Sequence, residues 1–270
     1  MSFFTSLSGM KNAETDLRVI SHNIANAETV GFKKSNAAFA DLVATGSGTD
    51  PRKTPGIGAT VSAISQDFAL GPLEQTGRSL DLAINGDGFF SAQDPISGDI
   101  SFTRNGNFRI VSTGELQDAN GNLVQALPVN AAGTTSGTTP GPLVVPTTNA
   151  AGSTLSSVSI DATGLVSAAY SDGTNDPVAR VALATFPAAD GLRSAGLTNW
   201  VASAESGAPV YGEPGVGNYG KLLSGALERS NVDLAEEMVS LLTAQRNFQA
   251  NARAIDTATQ ISQAVLNLRS

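Results

Sequence analysis

Two apolar stripes with helical spacing lie at opposite ends of this 270-residue chain. The C-terminal stripe repeats at intervals of about three, four or seven residues, and neither Pro nor Gly interrupts it. Its members are Leu234, Met238, Leu241, Phe248, Ile255, Ala258, Val265 and Leu268. The N-terminal stripe advances in shorter steps through Phe3, Leu7, Met10, Ala13, Leu17, Ile20 and Ile24. Because such narrow stripes require a partner helix, the sequence predicts that the two terminal helices pair as a coiled coil.

Periodicity alone would also fit two ordinary helices packed on one common core. The composition of the intervening chain favours paired helices, because the middle is rich in Gly, Thr, Ser, Asn and Val while the ends contain little Gly. Apolar residues alternate with others at Leu80, Leu82 and Ile84, and an Asn-Gly turn signal follows. The sequence therefore predicts an α+β fold, with a β-rich core domain and N- and C-terminal helices paired as a coiled coil.

These patterns divide the chain into four parts. The C-terminal helix is expected to begin after Ser230 or Asn231, either of which can act as N-cap. The predicted parts are a terminal helical core (1–34 with 230–270), a connector (35–56), a β-rich domain (57–127 with 158–220) and a Gly/Thr/Pro-rich loop or reduced outer domain (128–157).

Charge and targeting features limit the classes of partner. The formal charge is −8 and the isoelectric point is near 4.6, which argues against nucleic acid or an anionic membrane surface. No stretch reaches the roughly 18 apolar residues of a membrane-spanning helix, so we expect no membrane insertion. The N-terminus lacks a basic region followed by an apolar run, so we expect no cleaved signal peptide.

Candidate chemistry is sparse. The chain has no Cys and a single His, His22, which we interpret as a polar packing residue of the first helix. The Gly-rich stretches 86–88 and 118–122 lie between predicted strands, so they are interpreted as hairpin turns rather than phosphate or calcium loops. Asp81 and Asp87 could formally form a glycosidase pair, but nothing singles them out. We predict no catalytic, cofactor or metal site and no enzymatic activity.

Both ends of the chain carry motifs of one family. Residues 22–33 closely resemble the N-terminal signature of flagellar rod and hook proteins, although His22 stands where that family often has Asn. The matching positions are Asn23, Ala25, Asn26, Thr29, Gly31, Phe32 and Lys33. Residues 225–248 are similar to the C-terminal motif of the same family, with Ser230, Asn231, Val232, Gln245 and Arg246 among the matching positions. The resemblance extends over the chain apart from about residues 43–56 and 128–157.

The resemblance implies a structural subunit of the bacterial flagellum, located in the extracellular hook or the basal body. Such a subunit forms a helical tubular homopolymer and meets other axial proteins, the hook cap and the flagellar type III export apparatus, without a cleaved signal peptide. Helices with narrow seams are marginal alone, so the terminal helices are expected to become ordered when neighbouring subunits cover them.

Three alternatives remain open at this point. Residues 2–10, 65–68 and 225–228 resemble hook proteins and favour the hook, which transmits torque from motor to filament. The short outer region is typical of rod proteins, so the straight rod is the alternative. A more distant alternative is an extracellular β-rich adhesin, in which the β domain would bind its ligand without the terminal helices.

Overall fold

The computed structural model describes residues 2–43 and 56–267. These residues contain helices α1 (Ser2–Ala25) and α2 (Leu234–Asn267), a 3-10 turn (Ala189–Gly191) and nineteen strands. The strands are β1 (Ser35–Val43), β2 (Gly56–Gln66), β3 (Leu73–Gln75), β4 (Leu82–Asn85), β5 (Phe89–Gln93), β6 (Ile100–Thr103), β7 (Arg109–Ile110), β8 (Leu116–Gln117), β9 (Leu123–Pro128), β10 (Gly141–Pro142), β11 (Leu155–Ile160), β12 (Leu165–Tyr170), β13 (Asn175–Val181), β14 (Leu183–Thr185), β15 (Arg193–Gly196), β16 (Asn199–Val201), β17 (Val210–Gly212), β18 (Lys221–Ser224) and β19 (Ala226–Glu228). The α+β class is confirmed.

The chain divides into two compact units. The helical unit comprises Met1–Ala27, Lys34–Asp67 and Val232–Ser270, and the β unit comprises Glu28–Lys33 and Phe68–Asn231. The segments 35–43 and 57–66, assigned above to a connector and to the β-rich domain, both lie in the helical unit. The described part of the chain contains no helix that is long and apolar enough to cross a membrane.

Helices α1 and α2 pack against each other in antiparallel orientation. Asn23, near the end of α1, lies beside Glu237 at the start of α2, whereas Gly9 lies beside Asn251. A Cβ atom on Gly9 would lie 2.5 Å from the Asn251 Oδ1 atom, so glycine leaves room for the Asn251 side chain against α1. Ala13, Ile20 and Ala244 are buried.

The ends of the two helices are capped by polar groups. The Asp233 carboxylate accepts a hydrogen bond from the Ala235 N–H at 2.8 Å, so Asp233, rather than Ser230 or Asn231, is the N-cap of α2. The acids Glu236 and Glu237 follow in the first turn, where the helix dipole favours negative charge. At the end of α1, the Asn26 side chain donates to the His22 carbonyl oxygen at 2.9 Å.

Strands β1 and β2 form an antiparallel hairpin on α1. Their register runs from Ser35 opposite Gln66 to Val43 opposite Gly56. The Ala59 N–H donates to Ser8 Oγ of α1 at 3.3 Å, which fixes β2 beside the first half of the helix. The β-rich domain was predicted to begin at residue 57, but no local pattern identified the partner strand of β2. The intervening stretch 44–55, which contains most of the predicted connector, lies outside the described residues.

The β unit contains an antiparallel sheet with strand order β11-β12-β13-β9-β5-β6-β16-β15, to which five further strands attach. One core cluster contains Leu82, Phe90, Phe108 and Leu183. A second, aromatic cluster contains Phe89, Phe102 and Trp200, with Phe68 and Phe186 packed against it. Each cluster brings together side chains that are distant in sequence, such as Leu82 with Leu183 and Phe89 with Trp200.

The segment 128–157 is anchored in the β unit. Leu143 and Val145 are buried in its core. The Leu143 N–H donates to the Val124 carbonyl oxygen at 2.8 Å, and the Val145 N–H donates to that of Gly114 at 2.7 Å. The backbone of this Gly/Thr/Pro-rich segment is therefore held in place by the buried side chains of Leu143 and Val145 and by their backbone hydrogen bonds.

Candidate assembly surface and motif cluster

The residues predicted for the helix seam fall into two groups. The first group is buried or half-buried within the helical unit and comprises Leu7, Met10, Leu17, Ile20, Ile24, Leu241, Phe248 and Ile255. The second group is exposed and comprises Phe3, Leu234 and Met238. The Val265 side chain and residue Leu268 lie outside the described parts of the structure.

The exposed group continues into an apolar stripe on the first turns of α2. We define the α2 stripe as Leu234, Met238, Val239 and Leu242, which are between 43% and 65% exposed. Large apolar side chains that adjoin one another on a helix surface are typical of interaction sites. The α2 stripe is therefore the candidate assembly surface of the helical unit.

A polar node occupies the helix seam where an apolar residue was predicted. Glu237 is only 2% exposed, whereas its neighbour Met238 is 49% exposed. Asn23 donates to the Glu237 carboxylate at 3.3 Å and to the Ser35 carbonyl oxygen at 2.9 Å, and Lys34 Nζ lies 2.9 Å from Glu237 Oε1. Because these partners satisfy the buried carboxylate, Glu237 rather than Met238 faces α1. The node links α1, α2 and β1.

The node perturbs the titration of neighbouring groups. Burial alone would lower the pKa of Lys34, but the hydrogen bond and charge of Glu237, together with Glu236, raise it above its usual value. The pKa of Asp16 is raised by burial and by the negative charge of Glu237. A cavity of about 340 Å³ beside the node is lined by Asp16, Lys34, Glu237 and neighbouring residues.

A second cluster lies within the β unit and contains the motif residue Lys33. Lys33 Nζ is 2.5 Å from Glu228 Oε1 and donates to the Ala69 carbonyl oxygen at 2.6 Å. Arg104 Nη1 lies 3.3 Å from Glu228 Oε2, and the Gly71 N–H donates to Glu228 Oε1 at 3.0 Å. All three charged side chains are at most 4% exposed. One buried carboxylate therefore binds two buried cations.

Two further contacts explain residues around this cluster. The Gly31 N–H donates to the Glu228 carbonyl oxygen at 2.8 Å, and Gly31 has a φ of 70°. A Cβ atom at Gly31 would lie 2.5 Å from the Asn105 N atom, so only glycine fits. The Arg104 guanidinium lies 5.2 Å from the centre of the Phe89 ring, and its pKa is lowered by burial although Glu228 opposes that shift.

The other motif residues are distributed around these two sites. Phe32 and Ser230 are buried, and Asn231 donates to the Ala69 carbonyl oxygen at 3.3 Å. Ala25, Gln245 and Arg246 are exposed, while Thr29 and Val232 are half-buried.

Sequence reasoning missed Arg104, Glu228, Lys34 and Glu237. The signal for Glu228 was its place in the C-terminal motif, and that for Glu237 was a charged residue within an apolar stripe.

Three consecutive segments of this chain match protein-family models. Residues 4–33 match "Flagella basal body rod protein", and residues 83–168 match "Flagellar hook protein FlgE/F/G D1 domain". Residues 223–268 match "Flagellar basal body rod FlgEFG protein C-terminal". The two terminal matches include most of α1 and all of α2.

Curated relatives match over nearly the full length of the chain. The flagellar basal-body rod protein FlgG of Bacillus subtilis is 37% identical, with 99% of this chain and 98% of that protein covered. The FlgG protein of Caulobacter vibrioides is 34% identical, with 98% of each chain covered. The flagellar hook protein FlgE of Salmonella typhimurium is 27% identical, with 100% of both chains covered in an alignment of 411 residues.

Proposed function

The chain belongs to the family of flagellar hook and rod proteins, and from this premise we propose that it is a structural, non-enzymatic subunit of the flagellum whose copies polymerise into a helical tube. The observation that carries the proposal is the α2 stripe. Leu234, Met238, Val239 and Leu242 remain exposed in the single chain although α1 packs nearby. Copies that cover one another's stripes would remove this apolar surface from water, which drives association.

The charge distribution supports close packing of the helices. The helical unit has nine acidic and eight basic residues, a formal balance of −1. The β unit has fifteen acidic and eight basic residues, a balance of −7. Many copies of a nearly neutral helical unit can pack together with little like-charge repulsion. In this proposal α1 and α2 pair as a coiled coil and become fully ordered when neighbouring copies cover them.

The hook is the proposed location, and the rod is the second candidate. The segments 2–10, 65–68 and 225–228 support the hook. A specific observation favours the rod: rod relatives cover 98% or more of both chains in alignments of 281 to 283 residues, whereas the hook alignment needs 411 positions for 270 residues. Both locations imply contacts with other axial proteins, and the hook adds its cap.

An epitope tag can distinguish the two locations. The turn between β12 and β13 is exposed at Asp172 and Gly173, and a Cβ atom at Gly173 would meet nothing within 4 Å, so an insertion there should be tolerated. Immunogold electron microscopy of isolated hook-basal bodies should label the curved hook or the straight rod. The same tag at the open Gly121 turn is the matched control. Accessible tags that are absent from the organelle would contradict the proposal and favour an adhesin.

Export is proposed to use the flagellar type III apparatus without cleavage. The N-terminal residues are part of α1 from Ser2 onward, so their removal would delete part of the helix that packs against α2. Mass spectrometry of the assembled subunit should therefore recover peptides from the first turn of α1. Assembled subunits that uniformly lack these residues would refute uncleaved export.

A further inference from the structure

The turn between β15 and β16 has a backbone conformation that its residues disfavour. Gly196 pairs with Asn199 across the hairpin, so Leu197 and Thr198 form a two-residue loop. Their φ angles are 53° and 59°. Two-residue loops with positive φ at both positions usually contain Asn-Gly, because a leucine and especially a β-branched threonine are strained there. In the described ranges 2–43 and 56–267, every other residue with positive φ is a glycine.

The base of this hairpin is firmly held. Trp200 of β16 packs against Phe68 and Phe89, with ring centroids 5.4 and 6.1 Å apart. The Thr103 hydroxyl donates to the Thr198 carbonyl oxygen at 2.8 Å, and β16 pairs with β6. The aromatic core and this pairing fix the strand register, so the loop cannot relax by lengthening. The fold therefore presents the side chain of Leu197 in a defined place.

The strained leucine gains no burial within the described chain. Leu197 is 77% exposed, and all four residues of β15 are exposed as well. A residue held in a disfavoured backbone conformation, with no internal contact that offsets the strain, is typical of a functional site. Burial by a partner would supply the missing contact, since an exposed leucine is stabilised when apolar surface covers it.

The chemistry of the tip fits a second copy of this chain. Residues 194–199 carry no charge, whereas the β unit around them has a formal balance of −7. Two such acidic units repel each other wherever carboxylates meet, so an uncharged tip is a place where they can touch. A basic partner would be attracted to the carboxylates instead. A tip that contacts a different surface of the next copy also allows open-ended growth.

We propose that the Leu197–Thr198 tip is a subunit contact, in which Leu197 packs against the surface of a neighbouring copy in the polymer. This inference rests on the proposed function, because it requires a homopolymer. It assigns to the β unit a contact that is separate from the α2 stripe and that neither periodicity nor family motifs indicate.

Photo-crosslinking in the assembled organelle tests the contact. Leu197 is replaced by p-benzoylphenylalanine in the full-length chain, and the isolated flagellar structures are irradiated. We expect an adduct of twice the subunit mass that contains peptides of this chain only. The control places the same group at Ile96, which is 95% exposed in the β5–β6 turn, and should give at least tenfold less adduct. No adduct at position 197, an adduct to another protein, or equal adducts at both positions would overturn the inference.

A competition experiment separates the contact from folding. Each variant is expressed together with wild type, and the ratio of the two in isolated structures is measured by mass spectrometry. Leu197→Asn should be incorporated about tenfold less than wild type, while Thr198→Gly and Ile96→Asn should be incorporated equally well. Leu197→Asn and Thr198→Gly should each raise the thermal unfolding midpoint by about 2–4 °C, because Asn and Gly adopt positive φ with less backbone strain than Leu and Thr.

If Leu197→Asn raises the unfolding midpoint and still lowers incorporation, misfolding cannot explain the loss of assembly. Equal incorporation of Leu197→Asn and wild type would overturn the inference while leaving the proposed function intact. If wild type itself were absent from the isolated structures, the proposed function would fail, and this inference would fail with it.

Discussion

Glu228 is the residue on which the motif cluster depends. Its carboxylate lies between Lys33 and Arg104, and all three side chains are removed from water. Charges in a protein interior are tolerated when each has a close partner and its remaining hydrogen bonds are made. The Gly71 N–H and the Ala69 carbonyl oxygen supply further hydrogen bonds to Glu228 and Lys33, whereas Arg104 Nε has no hydrogen-bond partner within the described residues. Loss of one charge therefore affects the whole cluster.

Replacement of this carboxylate should be costly. We expect Glu228→Gln to lower the free energy of unfolding of the β unit by about 3 kcal/mol or more, because two buried cations lose their counter-charge. Urea denaturation followed by the fluorescence of Trp200, the single tryptophan, measures the change. Glu74→Gln is the control, since Glu74 is 59% exposed beside Arg229 and should change stability by less than about 1 kcal/mol. Equal effects of the two variants would contradict the proposed importance of the cluster.

Asp16 gives the helical unit a pH dependence. Its folded-state pKa is raised above the usual value of 3.8, by burial and by Glu237. The folded state therefore favours the protonated acid, and stability is lost as the pH rises through the raised pKa. Asp16→Asn should raise the unfolding midpoint at pH 7, and this gain should shrink as the pH falls to about 4.

Circular dichroism melting curves at several pH values measure this gain. Glu14→Gln is the matched control on the same helix, because Glu14 is 63% exposed in an ion pair with Arg18. A gain from Asp16→Asn that stays constant across this pH range would show that titration of Asp16 is not its cause.

At the scale of secondary-structure elements, adjacent residues of α2 have different environments. Leu241 is half-buried within the helical unit, whereas Leu242 belongs to the exposed α2 stripe. We expect Leu242→Ser to change the stability of the free chain by less than about 0.5 kcal/mol but to reduce its incorporation into flagella. Leu241→Ser should instead destabilise the free helical unit by about 1–2 kcal/mol.

Melting curves of the free chain and the amount incorporated in cells are measured for both variants. The pair is matched because the two substitutions are chemically identical and differ only in the face of the helix. Normal incorporation of Leu242→Ser would refute the α2 stripe as an assembly surface.

The far end of α2 extends beyond its partner helix. Gly9 lies beside Asn251 in the antiparallel pair, so the start of α1 at Ser2 lies near residue 258 of α2. Residues 259–264 are exposed. We expect amides 259–267 to exchange with deuterium rapidly in the free chain and slowly in the polymer. Mass spectrometry of both forms tests this, with residues 237–251 as the internal control, and strong protection in the free chain would contradict ordering on assembly.

Periodicity predicted the two helices and the α+β class, because the spacing of apolar residues is a local property of sequence. It placed Met238 in the seam, whereas Glu237 lies there, since Asn23 donates a hydrogen bond to the Glu237 carboxylate and Lys34 neutralises its charge. It also could not identify β1 as the partner of β2, or Glu228 as the shared partner of Lys33 and Arg104. Lys33, Arg104 and Glu228 come from segments distant in sequence, and β1 and β2 are separated by residues 44–55, so no local pattern encodes these pairings.

At the scale of the whole molecule, net charge opposes assembly. Most of the −8 charge belongs to the β unit, so copies repel one another over distances set by the ionic strength. The screening length falls from about 30 Å at 10 mM salt to about 8 Å at 150 mM. We expect the concentration of chain needed for self-association to fall over this range, as measured by sedimentation. Sucrose at equal osmolality is the control, and a rise with salt would indicate contacts made mainly by ion pairs.

The contact between Lys33 and Glu228 joins residues that are 195 positions apart. Closing a loop of this length is entropically unfavourable and is typical of slow folding steps. A chain delivered from its N-terminus exposes Lys33 long before Glu228 follows. The β unit therefore cannot form its buried cluster around Glu228 until more than four-fifths of the polypeptide has arrived. The ion pair that stabilises the finished subunit thus also delays the completion of folding.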